Sequence, residues 1–267
     1  MTVDQIIAKL KELAPEQDFK SVEENGRVGI TVNGESIAPV VWMDDAKHFS
    51  GPDEILKVLQ SGLENAGELK GKVERLFKDK EELLKRVVRT VAPLERNDFG
   101  RQFLDLRVVY RIALDDENSV IITKALADHY EFAEDELWEA SAEKCVYDTQ
   151  SMQSILDGLV DLQDSFPMLV ISNRKRMWGA ASMLDDEVLS AAADKLQSDL
   201  IILPSSIHEI IVIPFSGDDV SEFNAMIREV NETQLQEREV LSDHYYFYRK
   251  EAHTVECEGF EPYNLIK

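Results

Sequence analysis

The sequence predicts an α+β fold, because strand-like alternation and helical periodicity are interspersed along the chain. Two segments, Arg27–Trp42 and Phe103–Thr123, show the alternation and the turn residues of hairpins. The residues from Met168 onward follow the order β-α-β-β-α-β, which is typical of a ferredoxin-like unit. With 44% hydrophobic residues among 267, the chain can bury a substantial core.

The first hundred residues predict helices and a hairpin. The opening helix carries a capping box and ends at a proline, and the hairpin has an Asn-Gly turn. A proline in the return strand indicates that this strand lies at a sheet edge. The expected elements are a helix between Thr2 and Pro15, a loop over 16–26, the hairpin at Arg27–Trp42, a helix that starts near Gly51 and breaks at Gly67 and Gly71, and a helix over 72–88.

The remaining residues predict a second hairpin, a helix-rich stretch and the late β-α-β-β-α-β unit. The helix of that unit has acidic residues in its first turn, where the helix dipole favours them. The expected segments are the hairpin turn at 115–118, helices over 133–146 and 151–163, and then Met168–Ser172, Asp185–Leu196, Leu200–Leu203, Ile207–Phe215, Val220–Val230 and Tyr245–Tyr248.

The charge is strongly negative and unevenly distributed. Lys and Arg number 29 against 52 Asp and Glu, which gives a net charge of −23. Residues 1–100 carry −4 and residues 101–267 carry −19, so we divide the chain into these two portions or treat it as one continuous domain. The acidic second portion repels phosphate backbones, so we expect no direct nucleic-acid binding, and its charge is compatible with a basic protein partner. Solubility alone also explains the charge.

Several site classes are not expected from the sequence. No apolar run is long enough to cross a membrane, and the N-terminus lacks a signal-peptide core. Cys145 and Cys257 are far apart, and no histidine shows metal-ligand spacing to another His or Cys. Cys145 also lies on a predicted helix among acids, which disfavour a thiolate. We therefore expect a cytoplasmic protein with no membrane contact, no cofactor and no metal ion.

The main candidate site is a cationic cluster that follows the predicted strand at Met168. Arg174, Lys175 and Arg176 are consecutive in an otherwise acidic segment, and a bound anion would compensate their mutual repulsion. Trp178 adds a face on which a ligand can stack. The alternative is that nearby acids neutralise the cluster, namely Asp185, Asp186 and Glu187.

A second candidate is the turn that contains Ser205, Ser206, His208 and Glu209. A hydrolase interpretation is weak, because His208 and Glu209 point to opposite faces of a strand. The chain also has no G-x-S-x-G elbow and no H-E-x-x-H pattern. We interpret the segment as a turn between strands, which joins the cationic cluster if both lie at adjacent strand ends.

Three segments of the second half are distinctive: 173–184 (NRKRMWGAASML), 203–209 (LPSSIHE) and 240–244 (VLSDH). They resemble a family of uncharacterised proteins from anaerobic bacteria that is labelled only as a domain of unknown function. The resemblance is clearest between residues 168 and 250. It implies a bacterial, cytoplasmic protein and carries no catalytic residues to this chain.

Two hypotheses about function follow. The first is a non-catalytic interaction or regulatory protein whose acidic surface binds a basic protein. The second is a small-anion-binding protein or enzyme that uses the cationic cluster and the neighbouring turn. Its ligand-binding residues are Asn173, Arg174, Lys175, Arg176, Trp178, Ser206 and His208, with Ser205 in the same turn.

Overall fold

Helices and antiparallel sheets alternate in the computed structural model, which confirms the predicted α+β class. The chain divides into two compact units, Met1–Glu82 and Leu83–Lys267. The portions 1–100 and 101–267 stay a prediction, since compactness alone does not show which parts fold independently. The structure describes residues 1–24, 27–33, 38–43, 49–96, 98–115, 118–155, 167–215, 217 and 220–266.

The first unit packs two helices against a three-stranded antiparallel sheet. Its core joins Leu10, Ile30 and Leu59, one from the first helix, one from the sheet and one from the second helix, and all three are fully buried. The predicted capping box at the first helix is confirmed by hydrogen bonds in both directions between Thr2 and Gln5. The elements are α1 (Val3–Leu13), β1 (Phe19–Glu24), β2 (Arg27–Val32), β3 (Val40–Trp42) and α2 (Pro52–Leu76).

The predicted first hairpin is confirmed by the pairing of β2 with β3, and β3 lies at a sheet edge. The expected loop over 16–26 is wrong in its second half, because β1 pairs with β2 from Phe19 to Glu24. Phe19 is almost fully buried, and its apolar contacts fix a strand that its polar neighbours did not indicate. Gly34 of the predicted turn lies outside the described residues.

The helical predictions for residues 51–88 need two corrections. Helix α2 continues through Gly67 and Gly71, so the predicted breaks are wrong. A glycine costs a helix only about 1 kcal/mol, which the packing of a long amphipathic helix overcomes. Residues 72–88 are not one helix either, because a short helix, α3 (Lys80–Leu84), follows α2 and a strand begins at Val87.

The second unit contains a four-stranded antiparallel sheet with β6 at its centre. The predicted second hairpin is confirmed by the pairing of β6 with β7, and residues 116–117 of its turn lie outside the described part of the chain. Two helices follow the sheet, and the second ends at Ala142, earlier than the expected 133–146. The elements are β4 (Val87–Pro93), β5 (Gln102–Phe103), β6 (Leu106–Ala113), β7 (Ser119–Ile121), α4 (Lys124–Tyr130) and α5 (Glu134–Ala142).

A seven-stranded antiparallel sheet forms the rest of the second unit. Its helix α7 begins at Asp186, and the carboxylate of the preceding Asp185 accepts the Val188 N–H as an N-cap. Of the predicted helix over 151–163, only a single turn lies within the described residues. The elements are β8 (Tyr147–Ser151), α6 (Met152–Ile155), β9 (Leu169–Asn173), α7 (Asp186–Leu196), β10 (Leu200–Ser206), β11 (Glu209–Pro214), α8 (Ser221–Gln234), β12 (Tyr246–Arg249), β13 (Thr254–Glu256) and β14 (Tyr263–Asn264).

The ferredoxin-like arrangement is not confirmed, although β9, α7, β10, β11, α8 and β12 follow one another along the chain. The sheet order is β14-β13-β12-β10-β11-β9-β8. The second strand of the unit, β10, therefore lies beside the fourth, β12. In a ferredoxin-like unit the first strand occupies that position. Local periodicity specifies the elements, whereas the neighbours of each strand depend on contacts between distant residues.

One buried segment brings the two sheets of the second unit together. A 3₁₀ helix, Gly179–Leu184, is buried at all six residues and packs against β4, β9 and β11. The loop before it, residues 174–178, is therefore held next to both sheets. None of the helices that the structure describes combines the length and the hydropathy that a membrane crossing requires.

Candidate functional site

The loop after β9 is shaped by Asn173. Its side-chain amide donates to the Met177 carbonyl at 2.6 Å, and its side-chain oxygen accepts the Met177 N–H at 3.2 Å. The Arg176 N–H donates to the Asn173 carbonyl at 3.0 Å. Arg176 and Trp178 both adopt left-handed backbone conformations, with φ of 50° and 59°. These conformations are costly for residues with a side chain, so the bonds from Asn173 and the packing around the loop must hold them.

The same loop is anchored to the turn between β10 and β11. The Gly179 N–H donates to the His208 carbonyl at 2.9 Å, and the Ser172 hydroxyl donates to the same carbonyl at 2.7 Å. A Cβ atom on Gly179 would lie 2.5 Å from that carbonyl oxygen and 2.4 Å from Ser172 Oγ. Glycine is therefore required at this position, and the loop and the turn form one connected structure.

His208 supports the loop through its ring. Its Nδ1 accepts the Trp178 N–H at 3.2 Å, which requires a neutral imidazole, and its Nε2 lies 3.9 Å from the Glu239 carboxylate. Burial lowers the pKa of His208, and the carboxylates of Glu239 and Glu209 oppose that shift. Within the described part of the chain, the Ser206 hydroxyl bonds to the backbone N–H of His208, at 3.0 Å, rather than to the imidazole. This arrangement stabilises a turn and does not form a Ser-His nucleophile pair.

A cavity of about 450 Å³ lies between the loop, β4 and the end of α5. Its walls combine cationic and apolar side chains. Six cations and one carboxylate line it among the residues that the structure describes. The lining residues are Lys85, Arg86, Val88, Arg89, Ala113, Asp115, Ser141, Lys144, Cys145, Val146, Tyr147, Asn173, Arg174, Lys175, Met177 and Trp178.

One cation of this cavity, Arg89, is held by an aromatic ring. Its guanidinium lies 4.0 Å from the centroid of Trp138, which the Arg101 guanidinium also contacts at 4.1 Å. Arg101 has an acidic partner, because it binds the Glu134 carboxylate with two nitrogen atoms. Nε and Nη1 of Arg89 are buried and have no hydrogen-bond partner within the described structure. The charge of Arg89 is thus oriented by stacking and is left for another group to compensate.

Trp178 forms another wall of the cavity and is itself supported by a cation. The Arg111 guanidinium lies 4.7 Å from the Trp178 ring centroid, and its Nε donates to Ser119 Oγ at 2.8 Å. Burial lowers the pKa of Arg111 to about 10, so this side chain is still cationic at neutral pH. The stack fixes the indole in place despite the left-handed backbone at Trp178.

Cys145 and Tyr147 lie on the side of the cavity formed by the end of α5 and β8. The Cys145 thiol donates to the Ser141 carbonyl at 3.4 Å. Burial and the neighbouring Cys145 raise the pKa of the Tyr147 phenol, which therefore stays a neutral hydrogen-bond donor. The expected position of Cys145 on a helix is wrong, because α5 ends at Ala142. Cys145 lines the cavity together with its six cations.

The structure places some of the predicted site residues at the cavity and others outside it. Asn173, Arg174, Lys175 and Trp178 line the cavity. Arg176 points elsewhere and donates to Gln150 Oε1 at 2.9 Å. Ser206 and His208 contact the loop from outside and are not among the lining residues.

Two of the three acids expected to neutralise the cluster are bonded to other groups. Asp185 caps α7, and Asp186 binds Tyr248 at 2.7 Å and His253 at 2.8 Å. Arg174 Nε instead lies 3.9 Å from the carboxylate of Asp148. The Arg174 side chain is 81% exposed. An ion pair of this length and exposure contributes little.

Four cations of the cavity were not expected from the sequence. Lys85 and Arg86 fall in the segment 72–88, which we predicted as a helix. Arg89 lies on β4, and Lys144 follows α5. The β-branched run Val87-Val88 and the second pair Thr90-Val91 are a strand signal that places Arg89 on a sheet. Nothing local connects Lys144 to the cluster.

Comparison with known proteins gives one result. A family model matches residues 24–250. The chain belongs to DUF5688, a family of unknown function. The match includes most of the first unit and, in the second unit, every residue that lines the cavity, so the cavity lies within the DUF5688 region. No curated protein and no solved structure matches this DUF5688 chain.

Proposed function

We propose that this protein binds a small organic or inorganic anion in the cavity of the second unit. The observation that carries the proposal is the charge of the described lining, six cations and one carboxylate, in a chain whose net charge is −23. Like charges gathered in one cavity repel one another, and a fold keeps such an arrangement when a ligand of opposite charge occupies it.

The chemistry of the walls limits the ligand class. Arginines give bidentate hydrogen bonds to phosphate and carboxylate groups, and Tyr147 adds a neutral donor. Val88, Val146 and Met177 contribute apolar surface, which accommodates a carbon skeleton. A phosphate ester or a polycarboxylate satisfies both kinds of wall.

The volume of the cavity and the negative charge of the rest of the protein favour a small ligand over a polymer. A cavity of about 450 Å³ is within the range of small-molecule sites. A polyanion such as nucleic acid would also meet the acidic remainder of the surface, where repulsion opposes binding. A small anion is screened from distant charges within about 8 Å at physiological ionic strength and therefore responds mainly to the cavity.

Titration calorimetry and thermal unfolding with inorganic phosphate, pyrophosphate, a sugar phosphate and citrate test the proposal. A ligand present at one hundred times its Kd stabilises the protein by about 2.7 kcal/mol. The test variant is Arg174→Gln/Lys144→Gln, because both side chains are exposed at the cavity and come from different elements. We expect its Kd to rise at least about tenfold, since charge-assisted bonds contribute about 1.5–3 kcal/mol each.

A matched control loses the same two charges elsewhere. Lys57→Gln/Lys70→Gln changes two exposed lysines of α2, and we expect wild-type affinity from it. The absence of millimolar binding by the wild-type protein, or equal losses in the two double variants, would overturn the proposal.

A second function, the binding of a basic protein, is supported by the −19 carried by residues 101–267. Its test is titration with poly-lysine at low and at physiological ionic strength. Association that weakens as the salt concentration rises supports it, and association that is independent of salt contradicts it.

The two free thiols fit a reducing compartment and support a cytoplasmic location. The sequence resemblance supports a bacterial origin.

A further inference from the structure

Three side chains of different chemistry converge between the two sheets of the second unit. Asp105 lies in the turn between β5 and β6, His244 precedes β12, and Cys257 follows β13. Their ligand atoms, a carboxylate oxygen, an imidazole nitrogen and a sulfur, all lie within 4.8 Å of one another. All three side chains are partly buried.

The carboxylate of Asp105 is the group that His244, Tyr246 and Cys257 all contact. His244 Nε2 lies 3.0 Å from one carboxylate oxygen. The other oxygen accepts the Tyr246 hydroxyl at 2.8 Å and the Cys257 thiol at 3.8 Å. The thiol contact is long even for sulfur, so the Cys257 sulfur is positioned without a strong partner of its own.

The ring of His244 is oriented like that of a metal-binding histidine. Its Nδ1 lies 3.0 Å from the Tyr245 carbonyl, which only accepts hydrogen bonds, so Nδ1 carries a proton. Nε2 is then the nitrogen that is directed at the Asp105 carboxylate. Metal-ligating histidines commonly donate the other ring N–H to a backbone carbonyl, which fixes the tautomer and the ring orientation.

We propose that Asp105, His244 and Cys257 bind a Zn²⁺ ion. Carboxylate oxygen, imidazole nitrogen and thiolate sulfur are the three donor types that zinc uses in proteins. Zinc bonds of about 2.0–2.3 Å place tetrahedral ligand atoms about 3.3–3.6 Å apart. His244 Nε2 lies 3.0 Å from one Asp105 oxygen and Cys257 Sγ lies 3.8 Å from the other, and the ligand atoms of the cluster are up to 4.8 Å apart. Zinc binding therefore requires these side chains to rotate and close by about 1 Å.

The donor set also selects the metal and its coordination. A thiolate disfavours Mg²⁺ and Ca²⁺, which prefer oxygen ligands. On binding, the thiol proton of Cys257 and the Nε2 proton that His244 donates to Asp105 pass to solvent, and the freed sulfur and nitrogen become ligands. Three protein ligands leave the fourth tetrahedral position for water or an external group, as in open zinc sites. None of the three residues lines the cation-lined cavity, so this site is independent of the proposed function.

Cobalt titration of the chelator-treated full chain tests the site, because Co²⁺ replaces Zn²⁺ and gives absorption bands that report a thiolate ligand and tetrahedral geometry. We expect one Co²⁺ per chain with a thiolate charge-transfer band, which Zn²⁺ removes. Cys257→Ser loses the band and weakens affinity by more than the 10–100-fold typical of an outer-shell change. Cys145→Ser is the matched control and keeps the band, since that thiol bonds to the Ser141 carbonyl.

A second measurement needs no variant. Iodoacetamide labelling of the wild-type protein, mapped by mass spectrometry, compares the two thiols with and without Zn²⁺. Zinc is expected to slow the alkylation of Cys257 and leave that of Cys145 unchanged. A wild-type protein without the thiolate band, or equal protection of both thiols, reduces the cluster to an Asp105–His244 ion pair and overturns the proposal.

Discussion

The cation-lined cavity and the turn between β10 and β11 are neighbours in the second unit, and they use their polar groups in opposite ways. At the turn, Ser206 accepts the His208 N–H, the ring of His208 accepts the Trp178 N–H, and the carbonyl of His208 accepts the Ser172 hydroxyl. In the cavity, two buried nitrogen atoms of Arg89 have no partner among the described residues. These polar groups of the turn have hydrogen-bond partners within the fold, whereas the two Arg89 nitrogen atoms in the cavity do not among the described residues.

This difference separates structural polar residues from candidate ligand-binding ones. A polar group whose hydrogen bonds are satisfied within the fold contributes to stability and has little capacity left for a ligand. A group that is held in place while its charge stays uncompensated is prepared for a ligand. The sequence placed His208 and Arg174 in one hypothetical site, whereas in the structure Arg174 lines the cavity and His208 lies outside it.

The largest expected effect comes from the contact that joins the two regions. Gly179→Ala introduces a Cβ atom 2.5 Å from the His208 carbonyl oxygen and 2.4 Å from Ser172 Oγ. We expect a loss of about 3 kcal/mol in the free energy of unfolding, because overpacking in a rigid interior forces the backbone to move. Urea denaturation measures the loss. Gly71→Ala, at an open helical position, is the control and should not destabilise the protein.

The next largest effect is a loss of stability that is accompanied by a loss of anion affinity in the loop variant but not in the turn variant. Asn173→Ala removes both bonds to Met177 and should cost about 2 kcal/mol, together with about a tenfold loss of anion affinity as the loop relaxes. Ser206→Ala removes one bond to His208 and should cost about 1 kcal/mol. Anion affinity should stay within about twofold in Ser206→Ala, since the bonds from the loop to His208 remain. Equal affinity losses in both variants would contradict the distinction.

The parts of the molecule that sequence patterns predict are those encoded by neighbouring residues. The capping box at Thr2, the hairpin of β2 and β3 and the acidic first turn of α7 depend on residues close together in the chain, and each is found. The cationic loop at Arg174 was also visible, because three consecutive cations stand out in an acidic segment.

The parts that were missed depend on distant residues. The position of β12 beside β10 follows from sheet assembly and has no local signal. Arg89 and Lys144 join Arg174 only because β4 and the end of α5 approach the loop after β9. The cluster of Asp105, His244 and Cys257 spans separations of up to 152 residues, so a search for short ligand spacings passes over it.

The smallest expected effect is a pH dependence that arises at the turn alone. Burial holds the pKa of folded His208 below its unfolded value of 6.5. Its contribution to stability is therefore complete above pH 6.5 and is lost as the pH falls through the folded pKa, because protonation removes the acceptor for the Trp178 N–H. His208→Asn supplies an acceptor that does not titrate. Urea denaturation measures the difference in the free energy of unfolding between wild type and variant. We expect this difference to shift in favour of the variant as the pH falls from 7.5 to 5. A constant difference would show that His208 protonates equally well in the folded and unfolded chains.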